Sequence, residues 1–318
     1  MYMLKYTLKR IVAMLVTFAI IMTICFVLVK LLPQPEAVAF GKDRALIERR
    51  REMLGYGKPI MQQLGIYARR IAVNWDWGVG ENFKTGQDVA KVFAEKLPAS
   101  MLLNFYSFIL SVPLGILFGI YAALRKNRWQ DHFMSTAVMV SSSVPSFVYA
   151  FLVQYFLCFK LGWFPFLMKP GRDWFSWPMF VSVVPAVLSL SFGFIAGLTR
   201  STRAELTEVL TNDYMLLART KGMTKRQATV RHALRNAMVP IFPGIVADFL
   251  YMFSGSIIIE NIFGVPGVGN LYIQSVQSLD YNFFMMLSAF YTMLGLAVGI
   301  VVDLSYGLID PRIRMGAK

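Results

Sequence analysis

Two aspartates, Asp248 and Asp303, fall inside apolar runs long enough to cross a bilayer. A carboxylate in hydrocarbon is costly, so such a residue faces a bundle interior or water and marks a pathway, a relay or a paired charge. Two chemistries compete for them. Aspartates sharing a proton could hydrolyse a peptide bond, but their carboxyls must then sit about 3 Å apart. Asp248 lies mid-way along its run and Asp303 near the end of the next, so at about 1.5 Å per residue roughly half a bilayer separates them. The dyad is rejected. Asp248 keeps two readings, the lining of a solute path or a satisfied interhelical hydrogen bond, and Asp303 suits an anchor to a nearby Lys or Arg. Ser141-Ser142-Ser143 precedes Pro145 in another apolar run. Ser142 and Ser143 either face the same path or bond across helices.

Other chemistries find no footing in the sequence. Lysine follows glycine only at Gly41-Lys42 and Gly57-Lys58, so the phosphate-cradling G-x-x-x-x-G-K-[ST] loop is absent. His132 and His232 are the only histidines and lie far apart, and Cys25 and Cys158 both fall in apolar runs, where thiols pack rather than react. With no H-E-x-x-H, Cys/His cluster or G-x-S-x-G, metal and hydrolase chemistry lack residues, and no cofactor is expected on this chain.

The elements that must carry these residues are membrane helices. Over 318 residues, 56% are hydrophobic and only 16% charged, too little polar surface for a soluble domain of this size. Six runs approach the ~20 apolar residues that span a bilayer: 11–32, 101–124, 133–159, 179–198, 237–259 and 283–309. The first resembles a signal peptide in its leading Lys5, Lys9 and Arg10, but it is too long and lacks a small-x-small site, so it reads as a retained span. Pro113, Pro145, Pro185, Pro240 and Pro243 interrupt the runs, as bundles tolerate where neighbours satisfy the freed carbonyls.

Short loops orient the chain. Arg125, Lys126 and Arg128, the basic residues of 200–236, and Arg312, Arg314 and Lys318 all fall on the side of Lys5, Lys9 and Arg10. Excess Lys and Arg marks the cytoplasmic side, so both termini and segment 200–236 are expected there. The long 33–98 segment is basic too, but long external segments cross largely regardless of charge. The net charge of +14 is therefore mostly topology, and nucleic-acid binding is rejected.

Segment 200–236 is a basic elbow between two apolar runs. Thr202-Arg203-Ala204-Glu205 and Thr224-Lys225-Arg226-Gln227 each fit a capping box, with Gly222 between them able to take the left-handed conformation of a helix end. A helix from Thr202 to Gly222, a turn and a second helix are expected. Ala218 would let another surface approach closely, while Arg219, Lys221, Lys225 and Arg226 form a positive tip.

On the other side, Asp43 to Met53 reads as a charged helix closed by Gly55. Pro59 opens another, with Ile60, Leu64, Tyr67 and Ile71 on one face. Trp75 and Trp77 bracket Asp76 as aromatics do at headgroups, and Val89, Val92, Phe93 and Leu97 form a further stripe ending at Pro98. A small amphipathic cap on the outer leaflet is expected, with a partner-docking surface as the sharper alternative. The segments are thus 1–32 (tail and first span), 33–98 (external segment) and 99–318 (five-helix core).

Several strings place the chain near a family. DYMLLARTKG (213–222) followed by RHALRNAMVP (231–240) resembles the cytoplasmic loop of binding-protein-dependent ABC importer permeases, in particular the B-type subunit of the dipeptide, oligopeptide and nickel group. DWGVG (76–80), KLPAS (96–100), SVPSF (143–147), LGWFP (161–165), ENIFGVPGVGNL (260–271) and VDLSYGLIDPRIR (302–314) extend the resemblance nearly end to end. Of the family's Glu-Ala-Ala, three residues, Gly pattern, only Ala218 and Gly222 match, with Leu216 and Leu217 replacing the first two positions.

The resemblance implies an all-α integral membrane protein of six transmembrane helices with the type I importer fold and a small helical external domain after span one. It implies a non-catalytic permease subunit in a bacterial or archaeal cell membrane. Its partners would be a second homologous permease, two cytoplasmic ATPases that carry ATP and Mg, and an external solute-binding protein. Ala218, Arg219, Lys221, Gly222, Thr224, Lys225 and Arg226 would couple the chain to the ATPases. Peptides are the expected solute. Nickel or another small solute on the same architecture, or an ATP-independent secondary transporter, are the alternatives.

Overall fold

The computed structural model describes residues 2–32, 42–53, 55–171 and 173–309. Helix dominates, and among the described residues pairing between extended segments is confined to two isolated bridges, Val79 with Asp88 and Gly80 with Thr85. The helices are α1 (Tyr2–Leu31), α2 (Lys42–Met53), α3 (Ile60–Asn74), α4 (Val89–Leu124), α5 (Trp129–Ser143), α6 (Ser146–Val153), α7 (Trp177–Leu210), α8 (Asp213–Thr220), α9 (Lys225–Ala228), α10 (Leu234–Tyr251), α11 (Ile257–Ile262), α12 (Val268–Gln277) and α13 (Tyr281–Ile309). π-helical turns extend α6 through Gln154–Lys160 and join α9 to α10 through Thr229–Ala233.

Among the described residues five continuous helical stretches are long and apolar enough to cross a membrane: Tyr6–Leu31, Val89–Leu124, Trp177–Leu210, Lys225–Tyr251 and Tyr281–Gly307. The sixth expected span is a pair, Trp129–Ser143 and Ser146–Lys160, bent by 100°. Pro145 causes the break, since it drives Val144 to an extended conformation (φ −87°, ψ 126°) and lacks an N–H for the helix. Ser142 and Ser143 close α5 by donating to the carbonyls of Val138 and Met139, each at 2.8 Å.

Three boundaries differ from expectation. The second span begins at Val89, because Asp88 caps the helix through the Lys91 N–H at 2.9 Å and Pro98 lies inside it without ending it. The fifth span ends at Tyr251, not at 259, and 257–259 belong to the separate α11. The capping box expected at Thr202 does not form: α7 runs unbroken to Leu210 and Thr202 is buried in its interior, its hydroxyl without a hydrogen-bond partner.

The chain divides into two compact units, Met1–Ser100 with Pro266–Ile300, and Met101–Val265 with Val301–Lys318. This grouping cuts across the segments 1–32, 33–98 and 99–318. In the first unit, Met22, Phe26, Trp77, Val89, Phe93, Phe283 and Leu287 form a buried core, and Ile60, Leu64, Tyr67 and Ile71 pack against it. The apolar face of α3 therefore covers protein, which corrects the expectation that it rests on lipid. Trp77 is likewise buried, and only Trp75 is exposed, edge-on to it at 5.6 Å.

The DWGVG string is a folding device. Gly78 holds φ +102°, where a side chain would be strained, and a Cβ there would meet the Asn282 amide at 2.8 Å. A Cβ on Gly80 would lie 2.2 Å from the Phe83 carbonyl oxygen. Asp280, completely buried, holds the adjacent turn: its Oδ2 accepts from the backbone N–H groups of Glu81 (2.7 Å), Asn82 (2.9 Å) and Phe83 (3.0 Å). Burial pushes the Asp280 carboxyl above the usual range, against the opposing pull of those N–H donors. Nearby, Arg51 Nε donates to Glu81 at 2.8 Å, and burial raises the Tyr56 and Tyr67 phenols so that both stay neutral.

In the second unit α4 and α7 approach closely. Ser107, Ser111, Gly115 and Gly119 follow one another every four residues along α4. A Cβ on Gly115 would lie 2.8 Å from Leu198 Cβ, and one on Gly119 2.5 Å from Thr202 Cβ. The Ser107 and Ser191 hydroxyls meet at 3.0 Å, and Thr199 donates to the Gly115 carbonyl at 3.3 Å. Such small-residue contacts let membrane helices pack backbone to backbone. Arg203 of α7 donates to both carboxylate oxygens of buried Asp131 on α5, which also accepts from the Asn127 N–H. A desolvated charge is tolerable only with such pairing.

Candidate functional site

The elbow forms as two short helices about a glycine. Gly222 (φ +89°) follows the last turn of α8. Its N–H donates to the Arg219 carbonyl at 3.0 Å and the Met223 N–H reaches the Ala218 carbonyl at 3.3 Å, the paired bonds of a Schellman ending. Met223 also packs against the cluster containing Ala218, the apolar contact that accompanies this motif. The capping box expected at Thr224 is present: Thr224 Oγ1 accepts from the Gln227 N–H at 3.3 Å, and Gln227 Oε1 accepts from the Thr224 N–H at 3.0 Å. One further break was not foreseen. The α7 helix ends at Leu210, and α8 starts at Asp213 after an extended Asn212.

Ala218 does not lie where the sequence suggested. With Met215 it faces inward against Ala123, Leu206, Val209 and Ala228, so the close approach it permits is to this chain's own helices. Arg219, Lys221, Lys225 and Arg226 are exposed as expected, and Gly222 and Thr224 are exposed with them. The face turned outward on α8 also carries Tyr214, Leu216 (64% exposed) and Leu217 (55% exposed). Sequence reasoning treated the two leucines only as departures from a pattern; a leucine pair on a short, otherwise charged surface helix was the available signal. A groove of about 590 Å³ runs beside α8, lined in part by Lys126, Arg128, Asp213, Arg219 and Lys225. Four cations against one carboxylate give it a net positive lining.

The second place is a cavity of about 170 Å³ that contains Asp248. Asp248 lies three residues before the end of α10, not at the middle of the span. Asn104, Phe108 and Ser111 of α4, Phe194 of α7, Tyr251 at the end of α10, and Ser254 and Ser256 beyond it are among the other lining residues. Asn104, Phe108 and Ser111 share one face of α4 by their spacing, a signal in the sequence that went unread. Ser142 and Ser143 are not part of this cavity; both are exposed on α5, and Arg200 of α7 donates to the Ser142 hydroxyl at 2.6 Å. Asp303, on α13, does not line it either. The geometry thus leaves Asp248 apart from the other candidate path residues.

The segments around LGWFP meet the start of the ENIFGVPGVGNL string in the same unit. Gln154 donates to the carbonyls of Phe166 (3.1 Å) and Ile262 (3.3 Å), and the Met168 N–H bonds the Phe263 carbonyl at 2.8 Å. Gly264 (φ +62°) ends α11 with the same paired bonds as Gly222, from its own N–H to Asn261 and from Val265 to Glu260. These contacts fix the turn that follows the Asp248 cavity.

Comparison with known proteins agrees with this architecture. Residues 115–315 match the family described as the binding-protein-dependent transport system inner membrane component, and residues 3–104 match its N-terminal companion. The dipeptide transport system permease protein DppB of Lactococcus lactis is 32% identical over 317 residues, covering 98% of this chain and 100% of that protein. DppB of Bacillus subtilis is 30% identical, covering 99% and 100%. The glutathione transport system permease protein GsiC of Escherichia coli is 32% identical, covering 98% and 99%. A crystal structure of an amino acid ABC transporter with histidines shares the fold at a TM-score of 0.50 and 21% identity, over 68% of this chain and 92% of that one. Helices of bilayer length, a glycine-centred elbow and near end-to-end similarity lead to one conclusion: the chain is a multi-pass membrane permease that belongs to the binding-protein-dependent transport system inner membrane component family.

Proposed function

We infer that this chain is the permease subunit of an ATP-driven importer of short peptides, itself without catalytic activity. The observation that carries the reading is the elbow: two capped helices about Gly222 present exposed leucines and a basic groove between two membrane helices. A rigid, charged and partly apolar projection of this kind suits docking of a soluble partner with a complementary acidic surface. ATPase partners, two in number, would press on α8 and α9, and the short connection into α10 would carry that movement to the Asp248 cavity. A second, homologous permease would complete the path, and an external binding protein would deliver the solute. Lys and Arg in the short loops support placing the elbow and both termini in the cytoplasm.

The relatives named for dipeptide, peptide and glutathione transport support short peptides as the solute. The test is reconstitution. Vesicles holding this chain with its partner permease, both ATPases and binding protein are expected to accumulate labelled dipeptide when ATP is supplied. Vesicles with this chain alone are expected to accumulate none. Uphill uptake by the chain alone would overturn the reading, and accumulation of Ni²⁺ but not dipeptide would overturn its solute.

A further inference from the structure

We propose that the Asp248 cavity is a binding site for the ammonium group of a solute in transit. This assignment rests on the importer reading above and names the chemical class that the path selects.

The argument begins with what Asp248 lacks. Among the described residues its carboxylate takes part in no hydrogen bond or ion pair, although it stands within a membrane helix and is half-buried. Asp131 on α5 of the same unit is, by contrast, tied by Arg203 and the Asn127 N–H. Asp248 is therefore not explained by helix packing, and an unpaired acid inside a membrane protein points to a solute or ion. The cavity wall then decides the sign of that solute. It holds no Lys, Arg or His, although the chain carries a net charge of +14. An anionic group would meet a carboxylate with no base to offset it. A cationic group would meet that carboxylate in a cavity also lined by Ser254 and by the aromatic residues Phe108 and Phe194.

The polar wall supplies the rest of an ammonium's needs. An ammonium carries three donors and no acceptor, so beyond the carboxylate it needs oxygen acceptors. The Ser111 hydroxyl is buried and has no partner, an orphan in the lining of the same cavity that a bound solute would satisfy. At about 170 Å³ the space is large enough for one charged end of a small solute with its first shell of water. The site would thus read one end of the solute as it passes.

The test measures charge selectivity without assuming which solute is carried. Ser254→Cys is introduced into the full importer with Cys25 and Cys158 replaced by Ser, and labelling rates are compared for a trimethylammonium and a sulfonate methanethiosulfonate reagent of similar size. The cationic reagent is expected to gain at least about tenfold over its solution preference, as focusing of charge in a cleft allows. Asp248→Asn should abolish that gain, and Asp248→Glu should keep it. An unchanged ratio in Asp248→Asn overturns the assignment. In parallel, the importer is given alanyl-alanine and its deaminated analogue propionyl-alanine at matched binding-protein occupancy. Preference for the ammonium-bearing peptide should vanish in Asp248→Asn; its persistence also overturns the assignment. If wild-type importer moves neither compound while the labelling ratio behaves as expected, it is the peptide reading that falls and not the ammonium site.

Discussion

At Gly222 the constraint is conformational, not spatial. A Cβ there would meet nothing within 4 Å, yet φ is +89°. A β-branched side chain in left-handed backbone costs about 1–2 kcal/mol, and 1.4 kcal/mol corresponds to about tenfold in an equilibrium. Gly222→Val should therefore leave the protein inserted in the membrane while depleting the correctly bent elbow about tenfold. Solute-stimulated ATP hydrolysis by the complex is the readout; normal stimulation in this variant would remove the coupling role. Asp280 shows the opposite kind of constraint, since its buried side chain satisfies three backbone N–H groups of a turn distant in sequence. Asp280→Ala leaves those donors unpaired, at about 1–3 kcal/mol each before relaxation. A clear fall in thermal unfolding temperature in detergent is expected, and an unchanged midpoint would refute the pinning role. Gly222 was legible because a helix ending is written in consecutive residues. Asp280 was not, because its partners lie about 200 positions away and no local pattern announces them.

Among the elements, the contrast between Thr202 and Thr224 is the most instructive. Both begin the same local pattern, Ser or Thr with Glu or Gln three residues on. Thr224 becomes a cap because Gly222 has already broken the chain before it. Thr202 does not, because the preceding residues are already helical and its side chain is buried against Gly119 of α4. Tertiary packing overrode the local signal. The same contact yields a prediction: Gly119→Leu would drive a side chain into Thr202, whose Cβ lies 2.5 Å from where the new Cβ must go. Overpacking of this kind costs about 1–3 kcal/mol. Denaturation in detergent should show that loss, with Gly119→Ala milder than Gly119→Leu; equal stability of all three proteins would mean that α4 and α7 do not depend on this approach. The bend at Pro145 was readable from Ser-Val-Pro, but its 100° magnitude was not, since a proline sets where a helix stops and not where the chain goes next.

For the whole molecule the sequence carried the class and the runs, while the core of the first unit had to be seen. The α3 stripe of Ile60, Leu64, Tyr67 and Ile71 has the spacing of a lipid-facing helix and of a core-facing one alike. Only its contacts with the cluster around Phe26 and Trp77 decide between them. Sidedness rests on charge alone and can be checked independently of transport. Lys221 lies at the exposed elbow and Gln87 on the exposed turn that follows the DWGVG string, with three spans between them in sequence: α4, the bent α5–α6 pair and α7. If the basic short loops are cytoplasmic, a membrane-impermeant thiol reagent applied to intact cells, with the outer envelope permeabilised where there is one, should label Gln87→Cys. Lys221→Cys should be labelled only once the inner membrane is opened. The comparison is made with Cys25 and Cys158 replaced, so that each signal reports one position. Labelling of Lys221→Cys in cells with a sealed inner membrane would put the elbow on the face away from ATP, and no contact with a cytoplasmic ATPase could then drive the Asp248 path.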